Sequence, residues 1–90
     1  MKIKQYYNEV ENLLEFYLTI TPESDGIEWW RTKRVLTEYI SITVQQHDNI
    51  NRSLDLFNEL YSIFIDTHDG NYIENNKRIL ECFNKIKSLY

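Results

Sequence analysis

The chain contains few of the residues that interrupt helices, with two glycines and one proline among its 90 residues. Glycine weakens a helix and proline breaks one, so both residues are typical of turns. Pro22 and Gly26 lie in one polar stretch, and Gly70 lies in another. The long stretches between them are free to be helical, which favours an all-α fold.

Cysteine occurs once, at Cys82. One cysteine excludes an internal disulfide and a cysteine-rich zinc site. Its neighbours in the sequence include Leu80, Phe83 and Ile86, so we expect a buried thiol that behaves as a small apolar group. A single cysteine also fits a reducing compartment.

Long apolar runs are missing as well. No stretch approaches the ~20 apolar residues that a membrane-spanning helix needs. The first residues carry no uninterrupted apolar segment of the kind found in signal peptides. We therefore expect a cytoplasmic protein with no membrane contact.

Catalytic and cofactor motifs are also missing, since the sequence has no glycine-rich phosphate loop and no Gly-X-Ser-X-Gly. The pairs His47-Asp48 and His68-Asp69 are similar to part of the metal set of helical phosphohydrolases, but no aspartate follows Asp69. In an antiparallel bundle the two pairs would lie about 30 Å apart, at opposite ends of the third helix. We expect no enzyme, no metal and no cofactor, and we interpret the pairs as polar turn residues. A weak cation site at Asp66, His68 and Asp69 is the remaining metal alternative.

Four segments have apolar residues at helical spacing. In the first, Ile3, Tyr6, Val10, Leu13 and Tyr17 follow alternating steps of three and four. The predicted helices cover about 2–20, 27–47, 51–67 and 71–89. Short connections make successive helices antiparallel, so the sequence predicts one domain, 1–90, folded as a small antiparallel up-down four-helix bundle.

The boundary between the second and third predicted helices is the least defined. Residues 47–51 are weak helix formers and good caps, but none of them is a strong breaker. The alternative is a fusion of helices 2 and 3 into one bent helix. The third helix has the widest apolar arc, so we expect it to be the most buried.

The negative charge is concentrated in the middle of the chain, whose formal net charge is −4. Residues 48–70 carry Asp48, Asp55, Glu59, Asp66 and Asp69 against Arg52 alone. This pattern is typical of a solvated helix face, or of an acidic patch that attracts a basic protein. Direct nucleic-acid binding needs a basic stripe and is not expected, the short run Arg31-Lys33-Arg34 being the one exception.

Aromatic residues are abundant, with seven Tyr, four Phe and two Trp. A bundle this thin cannot bury all of them, and Trp29 and Trp30 point about 100° apart on a helix. We expect Trp30, with Ile27, to join the core and Trp29 to stay half-exposed. Trp29 is then either a cover for the edge of the core or an anchor for a partner.

These features predict a small acidic protein-binding module that sequesters or inhibits a partner with a basic surface, as an immunity protein, an antitoxin or a phage-encoded inhibitor does. The chain is similar to bacterial toxin-immunity proteins in size, acidity and helical content alone. The alternative is a homodimer or larger homo-oligomer with aromatics buried between copies. The predicted partner contacts are Asp48, Asp55, Glu59, Asp66, Trp29 and Tyr61.

Overall fold

The structure, a computed structural model, describes residues 3–45 and 52–89. Within these residues it contains four helices and no strands: α1 (Ile3–Tyr17), α2 (Gly26–Gln45), α3 (Arg52–Asp66) and α4 (Tyr72–Lys87). The predicted all-α bundle is confirmed, and each helix end lies within three residues of its predicted position. The second boundary, residues 47–51, lies outside the described residues.

The connection from α1 to α2 is held by its own side chains. The Thr21 backbone N–H donates to Ser24 Oγ at 2.9 Å, and the Ser24 N–H donates to Thr21 Oγ1 at 3.0 Å. Asp25 Oδ1 then accepts the backbone N–H of Glu28 at 3.1 Å, which satisfies one of the free donors at the start of α2. The chain therefore reverses direction within a few residues.

Successive helices pack side by side along the chain, in up-down order. Within the described residues, no Cα of α1 lies within 8 Å of a Cα of α4. Side chains join these two helices instead. The rings of Tyr7 and Phe83 stack with centroids 5.6 Å apart, and the Tyr17 hydroxyl donates to Asn76 Oδ1 at 2.9 Å. We call this side-chain junction the α1–α4 seam.

The core is apolar and rich in rings. Among the described side chains, α3 contributes more buried apolar residues than any other helix, as its wide apolar arc predicts: Leu56, Phe57, Leu60, Ile63 and Phe64. Cys82 is buried as expected.

One aromatic ring from each helix meets at the end of the bundle that holds residues 18–25 and 67–71. Tyr17 lies 6.1 Å from Trp29 and 5.5 Å from Phe64, and Trp29 lies 6.0 Å from Tyr72, all between ring centroids. The Tyr72 hydroxyl donates to Glu23 Oε2 at 2.8 Å, which ties this four-ring cluster to the first connection. The cluster fixes all four helices at one point.

The expected places of the two tryptophans are wrong. Trp29 is 0% exposed in the core, whereas Trp30 is 60% exposed and Ile27 is exposed beside it. Leu36 and Ile40 lie seven and eleven residues after Trp29, on the same face of the helix. The residues four and eight positions after Trp30 are the charged Arg34 and Glu38. The buried row of α2 therefore begins at Trp29, and Trp30 belongs to the row that faces water.

A buried polar pair joins the end of α3 to α4. Thr67 Oγ1 donates to the Ile63 carbonyl at 2.6 Å and accepts from Asn75 Nδ2 at 3.1 Å. Thr67→Val should lower the free energy of unfolding by about 1–3 kcal/mol, because it leaves the buried Asn75 amide without this acceptor. Urea unfolding followed by circular dichroism measures the loss. Thr67→Ser keeps the hydroxyl and should cost less, so equal losses in the two variants would contradict this role.

Candidate functional site

The predicted acidic residues of α3 share one outward face. Asp55, Glu59 and Asp66 are all exposed and lie within about 40° of arc on the helix, over about 16 Å of its length. We call them the acidic stripe. Asp48, which was predicted to extend it, lies outside the described residues.

At the centre of the acidic stripe, Glu59 contacts the thiol of Cys82. Glu59 Oε2 lies 3.7 Å from the Cys82 Sγ, and the charge of Lys85 acts on the same thiol. Burial, followed by the negative charge of Glu59, raises the pKa of Cys82 to about 12, and Lys85 offsets this in part. The thiol therefore stays protonated at neutral pH.

Trp29, the predicted aromatic contact, is enclosed by the core and cannot touch a partner. Its indole Nε1 is buried and has no hydrogen-bond acceptor among the described residues. Burial raises the pKa of the neighbouring Tyr17 to about 12. Both side chains are thus structural, and the exposed Trp30 takes the place that was predicted for Trp29.

The exposed Trp30 opens onto an elongated groove between α2 and α3, with a cavity volume of about 420 Å³. We call it the Trp30 groove. It is lined by Trp30, Lys33, Arg34, Thr37, Glu38, Ser41 and Ile42 from α2 and by Tyr61 and Ile65 from α3. Tyr61 is therefore placed with Trp30 and away from the acidic stripe.

A second, smaller depression continues the Trp30 groove towards the end of α2. Its volume is about 190 Å³, and it shares Ser41 and Tyr61 with the groove while adding Val44, Gln45 and Asn58. From Trp30 to Gln45 the two together follow about 22 Å of α2. That length matches about four turns of a helix.

The charged side chains of the Trp30 groove differ in whether they have an ionic partner. Arg34 and Glu38 form an exposed ion pair at 3.5 Å. Lys33 is only 9% exposed, and its Nζ lies 5.1 Å from the centroid of the Trp30 ring. Within the described residues no carboxylate pairs with Lys33, and desolvation lowers the pKa of its ammonium. Lys33 is thus a cation at the groove that lacks a counter-charge.

The weak cation site considered at residues 66–69 is not formed. No group of three metal-ligating residues comes together in the described part of the chain. His68 Nδ1 accepts the backbone N–H of Gly70 at 3.0 Å, and Asn71 Oδ1 accepts the backbone N–H of His68 at 2.8 Å. His68 therefore serves the turn, and the other pair, His47-Asp48, lies outside the described residues.

Sequence reasoning missed Glu38, Ile42 and Ile65, and it gave other roles to three lining residues: Trp30 to the core, and Lys33 and Arg34 to a short basic run. The one signal available was the spacing of four between Trp30, Arg34, Glu38 and Ile42, which places them in a single row of a helix. The contribution of Ile65 depends on how α3 packs beside α2, which no local pattern specifies.

Comparison of the chain with protein-family models, curated proteins and solved structures finds no match in any of the three. Among the described helices, none is both long and apolar enough to cross a bilayer. The acidic stripe and the Trp30 groove are therefore the features on which a function can be based.

Proposed function

We propose that this chain is a protein-binding module and that the Trp30 groove is its contact surface. The observation that carries the proposal is a mostly exposed tryptophan at the mouth of an elongated groove with Ile42, Ile65 and Tyr61. Tryptophan, tyrosine and arginine are the residues that most often dominate binding energy. A groove of this length suits a helix laid along it.

Covering the groove also removes apolar surface from water. Trp30, Ile42 and Ile65 are all exposed large apolar side chains on one side of the bundle. Their burial by a partner would stabilise the complex by about 25 cal/mol for each Å² removed from water. Clustered apolar exposure of this kind is typical of a protein-interaction site.

In this proposal the chain sequesters or inhibits the protein that it binds, as the sequence predicts. A cytoplasmic setting is part of the same proposal, because the one thiol of the chain forms no disulfide. The absence of catalytic motifs in the sequence supports action by binding.

The acidic stripe supports a second candidate, the capture of a basic partner. Asp55 and Asp66 are exposed, and no cation within the described residues forms an ion pair with either. Such charges speed association with a basic surface. This candidate ranks second because the three side chains of the acidic stripe are all charged and offer no apolar anchor of the kind that dominates binding energy.

Trp30→Ala should weaken capture of a partner by about 30-fold or more, since truncating an aromatic anchor costs about 2 kcal/mol or more. The test uses the full chain as bait in extract of its source cell, followed by titration of the recovered partner. Ile73→Ala is the matched control, because Ile73 is 62% exposed on α4, outside the groove, and should leave affinity unchanged.

Charge reversal separates the two candidate surfaces. If Trp30→Ala leaves affinity unchanged while Asp55→Lys and Asp66→Lys abolish binding, the acidic stripe is the contact surface. If neither surface responds, the groove proposal is wrong.

A further inference from the structure

The exposed row of α2 has an order of residue types that complements itself. Trp30, Arg34, Glu38 and Ile42 follow at intervals of four, are all exposed, and all line the Trp30 groove. Along the helix the row is apolar, basic, acidic and apolar. When the row is reversed, every position meets a residue type that it can pair with.

Two such rows match in register when two helices run antiparallel. Trp30 and Ile42 lie equally far from the middle of the row, and so do Arg34 and Glu38. A two-fold axis through that middle point would place Trp30 opposite the partner's Ile42, and Arg34 opposite the partner's Glu38. Rows of every fourth residue are also the ridges of the commonest helix packing, which crosses at about −50°.

We propose that the Trp30 groove binds a second copy of this chain, with the α2 row of each copy lying antiparallel in the groove of the other. This inference rests on the proposed function in taking the Trp30 groove as the contact surface, and it names a second copy as the occupant in place of a different protein. The arrangement is isologous, because the same patch of each copy forms both sides of the interface.

The unpaired cation of the groove favours this occupant. Lys33 lies one position before Arg34, so the row of a second copy brings the partner's Glu38 to the level of both cations. The ammonium of Lys33, which no carboxylate contacts among the described residues, then gains a counter-charge. One self-complementary row thus accounts for the exposed indole, the central ion pair and the unpaired lysine.

The acidic stripe stays free in this dimer. Asp55, Glu59 and Asp66 are absent from the lining of the groove, and Glu59 lies on the side of α3 that faces Cys82 of α4. A dimer therefore presents two acidic stripes, one on each copy, to any basic partner.

Charge reversal tests the pairing without touching the core. In Arg34→Glu both central positions are acidic, and in Glu38→Arg both are basic, so each variant alone places like charges across the axis. In each variant the dissociation constant of the dimer should be at least about tenfold higher than in the wild type. An equimolar mixture of the two variants restores opposite charges at both contacts and should form a heterodimer. Sedimentation equilibrium, from low micromolar to submillimolar concentration, measures all three samples.

The matched controls are Lys77→Glu and Glu81→Arg, equivalent charge reversals four residues apart on exposed positions of α4. They should leave self-association unchanged, and circular dichroism should show the wild-type helix content in every variant. A wild-type chain that stays monomeric to submillimolar concentration would overturn the dimer, while the effect of Trp30→Ala on a heterologous partner still tests the proposed function. A wild-type dimer that neither Arg34→Glu nor Glu38→Arg weakens, or a mixture that does not associate, would also overturn it.

Discussion

Trp29→Ala is expected to lower the free energy of unfolding by about 3–5 kcal/mol, whereas Trp30→Ala should lower it by less than about 1 kcal/mol. The two residues are adjacent, so chemistry and local sequence are nearly the same. Trp29 is fully enclosed and contacts Tyr17 and Tyr72 in the four-ring cluster. Trp30 is mostly in water, and the ammonium of Lys33 lies over its ring.

A loss of that size is large for a domain of this length. Stability near 0.05–0.15 kcal/mol per residue gives about 5–13 kcal/mol for the whole chain. Trp29→Ala should therefore shift the urea midpoint strongly or prevent folding, while Trp30→Ala should unfold close to the wild type. Circular dichroism is the appropriate readout, because both variants change tryptophan fluorescence. Equal losses in the two variants would contradict the burial difference between them.

Alkaline solution should destabilise the protein through two buried acids. Burial raises the pKa of Cys82 from 9.0 to about 12 and that of Tyr17 from 10.0 to about 12. Between the ordinary and the raised pKa, the unfolded chain releases a proton that the folded chain retains. Stability is therefore full below about pH 9 and falls as the pH rises, first through Cys82 and then, above about pH 10, through Tyr17.

The size of the alkaline loss follows from the shifts. Each pKa unit corresponds to about 1.4 kcal/mol, which sets upper limits of about 4 kcal/mol for Cys82 and about 3 kcal/mol for Tyr17. Charges inside proteins are screened more strongly than full burial implies, so we expect a loss of about 3 kcal/mol in all by about pH 11. Urea midpoints at a series of pH values from about 8 to about 11 measure the slope.

Two substitutions separate the contributions to the alkaline loss. Cys82→Ala should remove the part that begins near pH 9, and Tyr17→Phe should remove the part that begins near pH 10. Tyr17→Phe also loses the hydrogen bond to Asn76, which lowers stability by about 1 kcal/mol at neutral pH. A double variant that still loses several kcal/mol above pH 9 would show that other groups carry the effect.

The helices could be predicted because each one must bury an apolar stripe, and a stripe such as that of α1 is visible in the order of residues. The choice between Trp29 and Trp30 was also present in the sequence, in the charged residues that follow Trp30 at steps of four. The Trp30 groove was not, because its second wall depends on the packing of α3 against α2. The contact of Glu59 with the Cys82 thiol likewise arises only when α4 packs on α3.

The α1–α4 seam has a mechanical consequence. Each helix packs closely on the next one in the chain, and the two outer helices, α1 and α4, meet only through side chains among the described residues. The bundle therefore resembles a strip of four helices whose two edges touch. Separating the edges breaks the Tyr7–Phe83 ring stack, the Tyr17 to Asn76 hydrogen bond and the exposed Lys87 to Glu11 ion pair among the described contacts, but it leaves the packing of α2 on α3 unchanged. Away from the four-ring cluster, the free energy of local opening is therefore lowest along this edge. The Trp30 groove lies between the two inner helices of the strip, so it keeps its shape when the outer edges part.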